Sequence, residues 1–152
     1  QIAEQYGYRI IVTTHPRTRK MIEQKQIKFN SLVKLEKPFG LSDYLSLQMN
    51  AKAVLSDSGT ISEESSILGF PALNIREAHE RPEAMEETSV MMTGLNQDRI
   101  LQCLEQLDSE ATTNSKFRTV KDYSMPNVSD KVVRIILSYT DYIKRFVWRE
   151  LI

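Results

Sequence analysis

The chain has 152 residues, of which 41% are hydrophobic and 26% charged; this is enough apolar material for one core and excludes a disordered chain. Its 20 Lys and Arg residues balance 20 Asp and Glu residues, and zero net charge argues against a nucleic-acid or membrane-surface protein. The single Cys103 excludes an internal disulfide and a multi-cysteine zinc site. No apolar run reaches the roughly 18–20 residues of a membrane span. The first residue is Gln, and residues 1–5 have the pattern of the middle of a helix, so we expect the chain to be a piece of a longer protein.

Strand-like and helix-like segments alternate along residues 1–110. The predicted strands are 8–14, 32–35, 53–56, 72–75 and 89–92, and the predicted helices are 2–6, 18–26, 42–49, 60–68, 82–86 and 96–107. Short connections between such elements predict βαβ units. The expected fold is therefore α/β, with a Rossmann-like parallel sheet covered by helices on both faces. In the 42–49 helix, we expect Ser42 to be the N-cap and Leu41, Leu45 and Met49 to form the buried stripe.

The last forty residues differ in character from the rest. Residues 111–128 are polar and are predicted to be a connecting segment. Residues 129–152 are predicted to form a long C-terminal helix with a broad apolar stripe from Val132 to Val147. An apolar stripe of this width has to be buried, so we expect the helix to cover this domain or to dock on another one.

Ligands of parallel α/β sheets bind at the carboxyl ends of the strands, and the segment Asp57–Glu64 begins at one of them. The turn contains Ser58, Gly59 and Thr60, after which a helix begins. We expect the backbone N–H groups of Gly59, Thr60 and Ile61 to be free at the positive end of the helix dipole, where they could bind phosphate, and the Ser58 hydroxyl adds a donor. The turn is not a P-loop, because it has no Gly-Lys-Ser/Thr sequence. An ordinary capped helix is the alternative.

Two acidic residues lie in the first turn of the helix that follows this loop. A carboxylate of Glu63 or Glu64 could accept the two hydroxyls of a ribose, as acidic residues do in dinucleotide-binding folds. Acidic residues are also common in first helical turns for purely electrostatic reasons. The pattern therefore predicts a nucleotide site without excluding a simple capped helix.

Cations gather in two further loops at the same edge of the predicted sheet. Residues 76–83 contain six ionisable residues, including His79 and two arginines; Arg81 precedes a helix start, where it could bind a diphosphate bidentately, and Arg76 is a secondary candidate. In the loop after the first strand, His15 is followed by Arg17 and further cations. Solvated charged loops are the alternative at both places.

Two aromatic residues, Phe39 and Tyr44, lie beside the same edge and offer faces on which a base could stack. Aromatic residues at such positions more often belong to a core. Cys103 is expected to be a small buried hydrophobe rather than a nucleophile. The sequence suggests no metal site and no cofactor.

Three segments in this order resemble the UDP-N-acetylglucosamine 2-epimerase family. They are Ser56–Glu64, Leu68–Leu73 and Arg76–Ala84, and they are similar to the family patterns T-D-S-G-G-I-Q-E-E, L-G-x-P-x-L and R-x-x-T-E-R-P-E. The resemblance covers roughly residues 8–94. It implies two Rossmann-like domains in the arrangement of GT-B glycosyltransferases, with this chain as most of the C-terminal domain and a nucleotide in the cleft.

The resemblance also implies roles for single residues in binding UDP. Ser58 and Gly59 would hold the diphosphate, with Arg81 beside it. Thr60 departs from the second glycine of the family pattern, and its side chain narrows the approach to the backbone.

The nucleoside is assigned in the same way. Glu64 would take the ribose hydroxyls, Tyr44 would lie near the uracil, and His15 would line the cleft. The final helix would pack back on the missing N-terminal domain.

The family's reaction, as the resemblance implies it, inverts the configuration at C2 of a UDP-sugar. The C2 proton is removed, UDP leaves C1, a glycal forms, and UDP adds again after C2 is reprotonated on the other face. The acid–base groups are expected in the missing part, so this piece alone is expected to be inactive. A GT-B glycosyltransferase donor domain and a flavodoxin-like binding module are the alternatives.

His79 and the ending 128–136 are similar to a bacterial capsule and O-antigen subgroup. That subgroup epimerises C2 of a UDP-2-acetamido-2,6-dideoxy-L-hexose and forms UDP-N-acetyl-L-fucosamine. The expected location is the cytoplasm, since no signal peptide opens the chain. The expected partners are the UDP-sugar, the missing domain and a second copy of the chain in a homodimer, with no nucleic acid and no membrane.

Overall fold

A computed structural model describes residues 1–78, 80–113 and 118–150, and His79 therefore lies outside the described residues. Helices and strands alternate along the chain, which confirms the α/β class. The strands are β1 (Ile10–Thr13), β2 (Val33–Glu36), β3 (Val54–Ser56), β4 (Ala72–Asn74) and β5 (Met91–Met92). The helices are α1 (Ile2–Tyr6), α2 (Pro16–Gln24), α3 (Leu41–Met49), α4 (Ile61–Leu68), α5 (Pro82–Glu86), α6 (Gln97–Thr113) and α7 (Val128–Phe146), with a 3-10 helix at Lys121–Ser124.

The described strands pair in parallel, in two ladders. β1 pairs with β2, and the order of the second ladder is β3-β4-β5. The middle of the first predicted strand is continuously apolar, which is typical of a buried parallel strand, but Ile11 is 43% exposed and burial alternates along β1 and β2. β4, in contrast, is buried at all three positions. The two ladders thus differ: β4 is covered on both sides, whereas β1 and β2 have an open face.

The core lies between α4 and the β3-β4-β5 ladder. Ile61, Phe70, Ala72 and Val90 form its buried cluster, and Leu73 in β4 has no exposed surface. Since Ile61 is the first residue of α4, the core fixes the start of this helix relative to the end of β3. The loop between them, residues 57–60, is consequently anchored at both ends.

Local sequence signals predicted the end of α4 and the start of α5 correctly, but they did not predict the start of α3. Gly69 ends α4 in the left-handed conformation, with φ +73°, and Pro82 opens α5, as predicted. The prediction that Ser42 is the N-cap of α3 is wrong, because Gly40 occupies that position and the helix begins at Leu41.

The predicted apolar stripe of α3 is wrong at Leu41 and Met49, whereas Leu45 is half-buried. Leu41 is 73% exposed and Met49 is 55% exposed, whereas the buried residue of this helix is Gln48, at 3% exposure. The helix is thus rotated so that a polar side chain faces the interior.

The C-terminal part follows a different course from the ladders. α6 runs to Thr113, three residues beyond the predicted domain limit at 110. Val120 is buried and its N–H donates to Ser66 Oγ at 3.0 Å, so this part of the predicted connection lies against α4.

α7 has no buried residue and its apolar stripe is exposed, for example Ile136 at 57% and Phe146 at 62%. Docking of α7 on another domain remains a prediction. No helix of the described residues is long and apolar enough to cross a membrane.

Candidate functional site

The loop between β3 and α4 is organised by hydroxyl groups. Ser56 Oγ accepts the Ser58 N–H at 3.1 Å, and Ser58 Oγ accepts the Thr60 N–H at 3.3 Å and lies 3.0 Å from Thr60 Oγ1. Thr60 is the N-cap of α4, and its carbonyl oxygen accepts the Glu64 N–H at 2.9 Å. The expectation that the Thr60 N–H is free is therefore wrong. Its hydrogen bond is long, however, and a phosphate oxygen could replace the Ser58 hydroxyl as its acceptor.

The structure brings the two predicted arginines to this loop, each with a carboxylate. Arg76 Nη2 lies 3.0 Å from Glu80 Oε1, and Arg81 Nε lies 2.7 Å from Glu63 Oε1. A Cβ placed on Gly59 would lie 3.5 Å from Glu80 Oε2 and 3.8 Å from Arg76 Nη1. The loops after β3 and β4 thus meet at one sheet edge, as predicted. They enclose a small depression, lined by Gly59, Ser62, Asn74, Arg76, Glu80, Arg81, Met85 and Val90.

These ion pairs decide what each acidic residue can do. Glu63 raises the pKa of Arg81 through its hydrogen bond and then through its charge, which keeps this guanidinium protonated. Because Glu63 already accepts from Arg81, it is a poor candidate for the ribose hydroxyls. Glu64 forms no ion pair among the residues that the structure describes, and this makes it the better candidate of the two.

Glu64 lies between the loop of residues 57–60 and α3, the helix that contains Tyr44. Gln48 Nε2 donates to Glu64 Oε2 at 2.7 Å. Tyr44 is one helical turn before Gln48 and is half-buried; burial, and then the carboxylates of Glu64 and Asp57, raise the pKa of its hydroxyl. Tyr44 is therefore neutral at pH 7 and presents an aromatic ring close to Glu64.

A second depression lies next to this group, at the end of β1. It is lined by Thr13, Thr14, His15, Pro38, Phe39 and Tyr44. His15 is the N-cap of α2, and its Nδ1 accepts the Arg17 N–H at 3.3 Å. In the neutral imidazole the proton is consequently on Nε2, which is then a donor. The side chain of Arg17 is exposed.

Three polar residues of the site escaped the sequence analysis. Gln48 donates a hydrogen bond to the Glu64 carboxylate. Asn74, which is buried at the end of β4, accepts the Arg76 N–H at 3.1 Å. Thr14, which is also buried, donates to the Glu36 carbonyl oxygen at 3.2 Å. The available signals were the four-residue spacing of Tyr44 and Gln48, and the strand-end positions of the other two. Among residues 1–78, 80–113 and 118–150, no three His, Cys, Asp or Glu side chains group as a metal site requires.

Comparison with known proteins gives a consistent family. A family model described as UDP-N-acetylglucosamine 2-epimerase matches residues 1–137. The UDP-N-acetylglucosamine 2-epimerase of Methanococcus maripaludis is 34% identical over 110 residues, covering 70% of this chain and 30% of that protein. That of Methanocaldococcus jannaschii is 31% identical over 146 residues, covering 93% and 38%.

Solved structures show the same likeness. The structure of UDP-N-acetylglucosamine 2-epimerase from Rickettsia bellii superposes with a TM-score of 0.78 at 43% identity, covering 98% of this chain and 41% of that one. The Methanocaldococcus jannaschii enzyme in complex with UDP-GlcNAc and UDP gives a TM-score of 0.73 at 29% identity, covering 90% and 38%. The chain spans between 30% and 41% of the length of these relatives.

Proposed function

Because this chain belongs to the UDP-N-acetylglucosamine 2-epimerase family, we propose that it is the UDP-binding part of a UDP-sugar 2-epimerase. The relative solved with UDP-GlcNAc and UDP supports a nucleotide-sugar ligand. The arrangement of the described residues supports the same ligand independently, since groups suited to a diphosphate, a ribose and a base follow one another from the loop after β3 through α4 to α3.

The observation that carries this proposal is the position of Glu64. Its backbone N–H donates to the Thr60 carbonyl oxygen in the loop of residues 57–60, which we call the phosphate loop. Its carboxylate accepts a hydrogen bond from Gln48 in α3, the helix that also contains Tyr44. In uridine diphosphate the ribose likewise joins the diphosphate to the base. We therefore place the ribose hydroxyls on Glu64, the diphosphate on residues 58–60 and the uracil beside Tyr44.

The remaining candidates take positions around these three. Arg76 and Arg81 lie beside the phosphate loop, where each is paired with a carboxylate, and they would donate to the diphosphate oxygens in competition with those carboxylates. Phe39 and His15 line the depression that Tyr44 shares, so they would contact the base or the sugar side of the ligand. His79 stays a prediction outside the described residues.

The titration of UDP into this chain tests the nucleotide site. We expect weak but saturable binding by calorimetry, and we expect Glu64→Ala to weaken it at least tenfold, because two charge-assisted hydrogen bonds are lost. Asp98→Ala, an exposed acidic residue in the first turn of α6, is the matched control and should bind like the wild type. Absence of heat at millimolar UDP would contradict both the epimerase and the glycosyltransferase interpretation and favour a binding module without a nucleotide sugar.

The whole reaction requires groups that we place outside this chain. During C2 inversion UDP leaves C1, and the bound diphosphate donors stabilise the negative charge that develops on it. The proton at C2 must be removed by a base from the missing part, so we propose that the chain alone is inactive. Incubation with UDP-GlcNAc in D2O checks this: deuterium appearing at C2 with the chain alone would refute the assignment.

The sugar is the least constrained part of the proposal. The similarity of residues 128–136 to the L-fucosamine-forming subgroup favours a UDP-2-acetamido-2,6-dideoxy-L-hexose. The parent protein should then invert C2 of that substrate faster than C2 of UDP-GlcNAc, with competition between the two measured by NMR. A preference for UDP-GlcNAc would remove the subgroup assignment and leave the UDP site untouched.

A further inference from the structure

Gln48 is a residue that packing alone does not explain. It is the buried residue of α3, at 3% exposure, while Leu41 and Met49 of the same helix are exposed. Its Oε1 is buried and has no hydrogen-bond partner among the residues that the structure describes. A buried carbonyl oxygen without a partner destabilises a fold, and an apolar side chain of the same length would avoid this.

The other end of the same amide has a defined partner. Gln48 Nε2 donates to Glu64 Oε2 at 2.7 Å, a short hydrogen bond to a charged acceptor. Rotation of the amide by 180° would bring Oε1 against the carboxylate and repel it, so the charge on Glu64 fixes the orientation seen here. The unpaired Oε1 is thus the consequence of presenting a donor to Glu64.

We propose that Gln48 is a positioning residue that fixes the Glu64 carboxylate for the ribose diol and thereby sets the preference for ribonucleotides. The proposal rests on the proposed function, in which Glu64 binds the ribose. Held at Oε2, the carboxylate keeps its remaining lone pairs in one orientation. A diol needs two acceptors at a fixed spacing, so a carboxylate that rotates freely would lose much of its affinity.

The geometry of α3 extends this argument to the base. Tyr44 and Gln48 are one turn apart and lie on the same side of the helix. One helix therefore holds both the aromatic ring for the base and the donor that orients the ribose acceptor. This coupling of the two contacts favours a complete ribonucleoside over its separate parts.

Gln48→Met tests the proposal, since methionine keeps the length of the side chain and removes the donor. We expect it to weaken UDP binding by about tenfold, because the Glu64 carboxylate loses the donor that orients it. It should also reduce the ratio of UDP to 2′-deoxy-UDP affinity. If Gln48 served only stability, Gln48→Met would lower the midpoint of thermal unfolding and leave the ratio of UDP to 2′-deoxy-UDP affinity unchanged. Gln24→Met, at an exposed position of α2, is the control.

A double-mutant cycle separates this proposal from the one on which it rests. If Gln48 acts through Glu64, then Gln48→Met in a Glu64→Ala background changes UDP affinity no further. Additive losses would overturn the positioning role, as would UDP affinity unchanged by Gln48→Met while Glu64→Ala weakens it. An unaltered affinity in Glu64→Ala itself would instead refute the ribose assignment of the proposed function, and with it this inference.

Discussion

The carboxylate of Glu80 occupies part of the site in which we place the diphosphate. It pairs with Arg76 at 3.0 Å, and its second oxygen comes within 3.5 Å of a Cβ built on Gly59. A phosphate on this loop would therefore meet a negative charge at short range and compete with it for Arg76. Glu80→Gln removes the charge with almost no change of shape, and we expect it to strengthen UDP binding.

The size of the effect follows from the exposure of the pair. The side chains of Glu80 and Arg76 are 60% and 31% exposed, so the screening is strong and the ion pair contributes only about 0–1 kcal/mol to stability. Two like charges about 4 Å apart repel by about 1 kcal/mol in a water-like medium and by more where the ligand excludes water. We therefore expect UDP affinity to rise by about five- to tenfold, with little change in the free energy of unfolding.

Calorimetric titration of UDP into wild type and Glu80→Gln measures this difference, with Glu86→Gln on the exposed side of α5 as the control. The gain should shrink at 1 M salt, where charges are screened within about 3 Å. Weaker binding by Glu80→Gln would refute the reasoning, because it would mean that Glu80 orients Arg76 for the phosphate. Equal binding would mean that the diphosphate is bound elsewhere.

Two further predictions concern stability. Leu73→Ala removes a side chain with no exposed surface from the centre of β4, and urea denaturation should show a loss of about 2–5 kcal/mol; a loss below 1 kcal/mol would contradict a closely packed core. Burial raises the pKa of Tyr44 above 10.0, so the unfolded chain ionises first: stability is intact below pH 10 and falls as the pH rises beyond it. Tyr44→Phe should reduce this alkaline loss in urea titrations at pH 9 and 11, and an unchanged slope would show that Tyr44 ionises freely in the folded state.

Signals within a few residues predicted much of the fold. The end of α4 at Gly69 and the start of α5 at Pro82 follow from backbone conformations that these two residues favour. The alternation of elements predicted parallel strands, and the parallel sheet in turn predicted that residues 57–60 and 76–83 share one edge. None of these inferences needs the distance between residues far apart in the chain.

The details that decide the chemistry depend on such distances and were not predicted. Arg81 finds Glu63 eighteen positions earlier, and Gln48 finds Glu64 sixteen positions later. Helical periodicity of α3 favoured a buried face with Leu41 and Met49, because a hydrophobic pattern gives no weight to an amide. The long-range hydrogen bond from Gln48 to Glu64 departs from that pattern, and it lies where we propose a binding site.

The ion pairs of Arg76 and Arg81 reduce the contribution of positive charge to ligand selectivity. Arg76 and Arg81 are each matched by a carboxylate, and Glu64 adds a third negative charge nearby, so the site as a whole carries no excess of positive charge. A simple anion gains little from such a site, since it must compete with Glu63 and Glu80 for both guanidinium groups. In the proposed function, a nucleoside diphosphate would gain contacts on Glu64 and Tyr44 at the same time, and these would make up for that competition. We therefore expect selectivity for UDP over free phosphate to arise from the nucleoside contacts rather than from net charge.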